Sequence, residues 1–139
     1  MPSPTVYLLV QPTVSRAGET PDLKPLSAFG EVVVLVQAGD NPLHRSVHTL
    51  DNIKKRLEHF DPKADFLTAA GGGAIAALMV GVAISDLGFD QFVWLSAQRA
   101  KDAQGRRTNV VERYIPVRVD LGQLALDIDA PHINEGGST

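Results

Sequence analysis

Ala69-Ala70-Gly71-Gly72-Gly73-Ala74-Ile75-Ala76 is where residue type and spacing in this 139-residue chain come closest to chemistry. Gly71, Gly73 and Ala76 fit the G-x-G-x-x-A spacing of dinucleotide-binding turns. The stretch lies where an apolar strand-like run gives way to a helix-like one. Such a junction leaves backbone N–H groups free at the positive end of a helix, where a phosphate is favoured by hydrogen bonding and by the dipole. In a parallel sheet it also falls at the carboxyl edge, where ligands bind. The acid expected about 20 residues further on to hold a ribose is absent. Gln98 and Arg99 stand there instead, and Arg99 is the candidate to face a phosphate. No Lys-Ser or Lys-Thr pair follows the glycines, which excludes a Walker-type loop. The competing reading of Gly71, Gly72 and Gly73 is a tight turn with close helix–sheet packing, and it takes precedence.

Other candidates are weaker. His44 and His48 have a metal-ligand spacing, but Pro42 and a cap at Thr49 place them ahead of a helix, with no third ligand indicated. Asp127, Asp129 and His132 form a short acidic cluster whose plain reading is an acidic tail. No metal or other cofactor is called for. Asp61, Asp65, Asp86 and Asp90 sit at element ends, where aspartate ordinarily caps and turns. No nucleophile elbow or Ser/His/Asp pattern is present, so catalysis is the minority reading.

Charge is sorted along the chain. Arg99, Lys101, Arg106, Arg107, Arg113 and Arg118 stand against only Asp102 and Glu112, a local balance of +4 within a chain of net charge −3. From residue 120 onward Asp120, Asp127, Asp129 and Glu135 have no basic counterpart. The basic stretch could lie along nucleic-acid phosphates, but Tyr114 is its one aromatic and the chain is acidic overall. A solvated hairpin is the simpler expectation. The two blocks also suggest an acidic tail folded over the basic hairpin of its own or a neighbouring subunit.

The elements that must position these residues are those of one α/β domain over residues 1–121. Hydrophobic residues make up 44% and charged residues 21%, the balance of a globular chain, and 139 residues are enough for one core. There is no cysteine, so disulfides and thiol chemistry are excluded and a reducing compartment is implied. No secretory signal is expected at the N-terminus. Val6-Tyr7-Leu8-Leu9-Val10 reads as a strand, and residues 12–30, with Pro12, Pro21 and Pro25, as a long surface loop. Residues 31–36 form an unbroken apolar run typical of the middle of a parallel sheet. Leu50, Ile53, Leu57 and Phe60 recur at helical spacing after Thr49, and Asp61-Pro62 stops that helix. Residues 65–69 read as a strand and 74–85 as a helix apolar nearly all round, ending at Gly88 as a C′ residue. Phe92-Val93-Trp94-Leu95 and residues 110–119 are strands of an antiparallel hairpin, with Asp102-Ala103-Gln104-Gly105 between them. Residues 122–139 read as a flexible acidic tail.

Residues 66–85 carry no charge and are numerous enough to span a bilayer, with Gly73, Ala77 and Gly81 at a small-xxx-small spacing. The glycines divide the run and leave a helix too short to cross, so no membrane is expected. The fold class is α/β: a parallel β-α-β-α-β core, Rossmann-like in three layers. It is extended by an N-terminal strand and a C-terminal hairpin, with the strands at 32–36, 66–69 and 92–95 side by side.

Phe29-Gly30-Glu31, Asp61-Pro62, Asp65-Phe66-Leu67, Gly71, Trp94, Arg99 and Tyr114-Ile115-Pro116-Val117-Arg118-Val119-Asp120 resemble a family of small uncharacterised bacteriophage proteins. The likeness covers about residues 29–121, with three glycines where the family is expected to carry one near a proline. It implies a phage or prophage gene acting in the cytoplasm of the bacterial host, and carries over no catalytic residues. The expected function is a non-catalytic accessory protein that binds a host or phage macromolecule or a small phosphorylated ligand. The alternatives are a nucleotide-handling enzyme using the glycine junction and nucleic-acid binding through Lys101, Arg106, Arg107, Arg113 and Arg118. A homo-oligomer is expected, because the apolar second helix is hard to bury in so small a monomer.

Overall fold

The computed structural model describes residues 3–12, 23–37, 40, 42–69 and 74–124. Five strands form one sheet: β1 (Thr5–Val10), β2 (Glu31–Val36), β3 (Phe66–Thr68), β4 (Gln91–Lys101) and β5 (Arg107–Asp120), in the order β2-β1-β3-β4-β5. The first four are parallel and β5 returns antiparallel to β4. Three helices intervene: α1 (Lys24–Ser27), α2 (Ser46–Arg56) and α3 (Ala74–Asp86).

The strands at 32–36, 66–68 and 92–95 do run one way, but they are not all neighbours. β1 lies between β2 and β3, with Tyr7 opposite both Val33 and Leu67. The N-terminal strand is therefore the centre of the sheet and not an extension of it. Its composition demands that place. Val6 and Leu8 are fully buried among Leu26, Leu95 and Tyr114 on one face, while Tyr7 is buried among Leu35, Ile53 and Leu67 on the other. A strand apolar on both faces has to be covered on both.

The two clusters define the layers. One face carries α2 and α3, whose Ile53, Ala76, Val80, Ala83 and Ile84 pack on Tyr7, Leu35 and Leu67. Tyr7, Phe60 and Phe89 meet edge to face there, at centroid separations of 5.4 and 5.0 Å. The other face is covered by α1 through the fully buried Leu26, with Phe29 edge-on to Phe66. The long loop expected over 12–30 thus contains a helical turn with Pro25 in its first turn, an arrangement too short to show a periodicity.

Helix α2 starts at Ser46, and Thr49 is a fully buried residue inside it instead of its cap. Thr49 and Ile53, four apart, share the buried stripe, and among the described residues the Thr49 hydroxyl has no hydrogen-bond partner. Helix α3 ends as expected at Gly88 (φ +80°): Phe89 N–H donates to the Ile84 carbonyl at 3.1 Å and Gly88 N–H to that of Ser85. This is the paired-bond ending that a left-handed C′ glycine permits.

Asp65 ties the turn ahead of β3 to the start of β1, accepting from Thr5 N–H and from Asp61 N–H. Thr68 hydroxyl donates to the Leu95 carbonyl at 2.7 Å, tying β3 to β4 beyond the last paired residues. Beside them, Gly30 lets β2 enter against β1: a Cβ there would lie 2.0 Å from the Pro4 carbonyl oxygen. Pro116 stands opposite Leu95 in the ladder, tolerated because β5 is an edge strand.

Candidate functional site

Gly71, Gly72 and Gly73 lie outside the described residues, as do Asp127, Asp129, His132 and the rest of the acidic tail from residue 125. What the structure supplies is their surroundings. The chain winds from β1 out to β2, then back across to β3 and β4, so the winding reverses between β1 and β3. β3 ends at Thr68, beside that reversal.

The hairpin rises from the same edge. β4 pairs with β3 only through Val93 and Trp94, and the residues from Leu95 to Lys101 run on with β5 alone. At ~3.3 Å per residue this is a two-stranded arm about 20 Å long. Register shifts between Gln98, Arg99 and Lys101 bend it. Its turn is built on Asp102, whose Oδ1 accepts from both Gln104 and Arg106 N–H at 2.9 Å. Arg99, Lys101, Arg106, Arg107, Arg113 and Arg118 are all exposed. Among the described residues none of them makes an ion pair, and Arg113 donates to the Gln98 side chain. Tyr114, the arm's one aromatic, is instead buried against Leu26, and that burial raises its phenol pKa above the ordinary value. Its ring is therefore not offered to a base.

His44 precedes α2 and His48 lies within it, so the pair does not share a helical turn. His48 Nε2 meets Asn52 Nδ2 at 3.2 Å. Among the described residues no group of three or more His, Asp or Glu is arranged to hold a metal.

The side-chain chemistry that does converge is apolar. Between α2 and α3 opens a groove of about 310 Å³ lined by Ser46, Val47, Leu50, Ile75, Leu78, Met79 and Val82. Leu78 is 66% exposed, Val47 74% and Val82 49%; Ile75 and Leu43 are exposed too. Only one side of α3, that of Ala76, Val80, Ala83 and Ile84, is buried in the core. From Ala74 to Ser85 the other residues, among them Ile75, Ala77, Leu78, Gly81 and Val82, face outward uncharged, and the exposed Asp86 closes the helix. Composition alone gave the signal, since a helix apolar all round has no solvent face. It did not say which half the core would take. Among the described residues no helix is long and apolar enough to cross a membrane.

The nearest charges sit at the rim. Lys54 bridges to Asp86 at 2.8 Å, joining the last turns of α2 and α3. Arg56 holds Asp40 at 2.9 Å and also donates to the Leu35 carbonyl, fixing α2 to the end of β2. Burial opposes the Asp40 carboxylate. Gln37 N–H, the Arg56 guanidinium and Asn52 outweigh it and hold the pKa below the usual value.

A mostly parallel sheet closed by an antiparallel hairpin, with helices bearing an open apolar face, makes this a small mixed α/β protein. The chain belongs to the phage Pam3 gp32-like protein family, whose model matches residues 4–103, from the start of β1 to the hairpin turn. No curated protein and no solved structure gives a significant match. The matched stretch takes in β1 and α1, ahead of the motifs that carried the resemblance, and stops short of the Tyr114–Asp120 segment. Gly30 now has a physical role within it, as the residue that admits β2 beside Pro4.

Proposed function

We propose that this is a non-catalytic phage binding protein, active in the host cell, that works through protein–protein contact at the face formed by α2 and α3. The observation that carries the reading is the outer side of α3, uncharged from Ala74 to Ser85, and the groove beside it. An apolar surface of this kind loses free energy to water until a protein surface covers it. Helices in grooves bind through such rows of aliphatic anchors. The phosphate reading keeps one supporting observation: the basic arm rises from the carboxyl edge of the parallel strands, at which the winding reverses.

The test is a photo-crosslinking amino acid placed at Leu78 in cells expressing the full chain during infection. The control position is Glu58, exposed on the same helical layer. A protein adduct at position 78, absent at position 58, is expected. Equal or absent adducts at both would overturn the reading.

A further inference from the structure

The arm formed by β4 and β5 is charged in a way that works against its own stability. Lys101 and Arg107 stand directly opposite each other in the ladder, where like charges repel. Arg106 is next to them in the chain, and Arg99 and Arg113 follow lower on the shaft. All five are exposed, and Glu112 is the one acid between Arg107 and Arg118. The tip nevertheless holds them firmly. Asp102 N–H donates to the Arg106 carbonyl at 2.9 Å, its carboxylate accepts from two backbone N–H groups, and Gly105 closes the turn at φ +78°. Just below, the Thr108 hydroxyl donates to the Ala100 carbonyl at 2.9 Å. Fixing like charges together is unfavourable until an anion comes between them.

The type of cation narrows the choice of anion. A strand edge kept soluble by charge is guarded above all by lysine. Here four of the five cations are arginine, whereas residues 1–98 carry four lysines and three arginines. Guanidinium forks match phosphate oxygens two at a time.

We propose that the arm is a binding site for duplex DNA, laid in the major groove with its arginines on the phosphates. This surface is separate from the α2–α3 face and does not depend on the contact reading. A groove about 12 Å wide admits a two-stranded ribbon, whereas the deep, narrow major groove of duplex RNA does not. The register shifts between Gln98, Arg99 and Lys101 add twist to the ribbon, which suits it to a helical groove. From Ser96 to Arg113 no aromatic residue offers a platform for unstacked bases, so a single strand is the poorer ligand. The net charge of −3 arises outside the arm, so the field of the whole molecule presents the arm to a polyanion first. With four or five phosphates contacted, affinity should fall as about the fourth power of salt concentration.

Fluorescence anisotropy of a labelled DNA duplex of about 20 base pairs, titrated with the purified full chain, tests this. Dissociation should lie in the micromolar range at about 50 mM salt and weaken roughly two-hundredfold by about 200 mM. Arg106→Ala with Arg107→Ala should weaken binding at least tenfold and lower the salt power by about 2. Lys55→Ala with Lys63→Ala removes as much charge from exposed sites elsewhere and should leave affinity within about twofold. Lys101→Ala relieves the facing pair, so it should melt at or above wild type yet bind several-fold more weakly. That opposition separates a ligand contact from a structural charge, whatever the fold of the double variant. Three results would each overturn the inference. They are no binding by wild type at about 50 mM salt, equal losses in the two double variants, and preference for single-stranded DNA or poly-glutamate over the duplex.

Discussion

Replacing Gly30 with alanine should be the most damaging small substitution at any described glycine. The added Cβ would lie 2.0 Å from the Pro4 carbonyl oxygen, 2.7 Å from its carbon and 3.4 Å from the Thr5 nitrogen. All three are backbone atoms that no rotamer change can move. Relief requires the start of β1 to part from β2 by more than 1 Å, and β1 is not free to yield. Thr5 pairs with Glu31 on one side, and its N–H is bound to Asp65 on the other. Gly30 also has φ +154°, a conformation alanine rarely adopts. The backbone strain costs about 1–3 kcal/mol and each displaced hydrogen bond about 1 kcal/mol, so the loss should be about 3–5 kcal/mol. Against a total of about 5–15 kcal/mol this is a large fraction, and the melting temperature should fall by roughly 10–20 °C. Calorimetry or urea unfolding measures it, with Gly88→Ala as the comparison. Gly88 has φ +80° but open space around it, so its alanine variant should lose only about 1 kcal/mol. Equal losses at the two positions would refute the argument from close approach.

Two further outcomes follow from the charged groups. Asp40 is held below its ordinary pKa in the folded chain, so its contribution is complete above the unfolded value of about 3.9 and is lost as pH falls through the folded one. The gap in melting temperature between wild type and Asp40→Asn should be widest near neutrality and close at strongly acidic pH; a gap constant with pH would contradict this. If the carboxyl edge does take a phosphate, nucleoside triphosphates should raise the melting temperature. Arg99→Ala should then reduce that shift; no shift with any nucleotide removes the phosphate reading.

The sequence patterns revealed elements better than their neighbours. Residues 74–85 and Gly88 were legible because helix period and C′ glycine are local properties, and α3 appears within one residue of expectation. The place of β1 was not read, although Val6-Tyr7-Leu8-Leu9-Val10 is apolar at every position, which itself marks a strand covered on both faces. Thr49 misled because a β-branched hydroxyl residue before an apolar series looks like a cap, whereas here its methyl is buried in the core stripe of α2. For the site, the sequence disclosed an excess of apolar residues in α3 but not the direction they face. That direction depends on which residues α2 and the sheet leave uncovered. The six cations of the arm were legible as a block, and their exposure follows from a hairpin that outruns the parallel sheet.

Pro116 has a consequence for how copies can add together. A sheet grows by accepting a new strand along its outermost row of donors and acceptors, and Ile115 and Val117 on β5 are exposed enough to invite one. The proline between them has no N–H to give, so the strand lacks one donor there. Endless stacking through that border is discouraged.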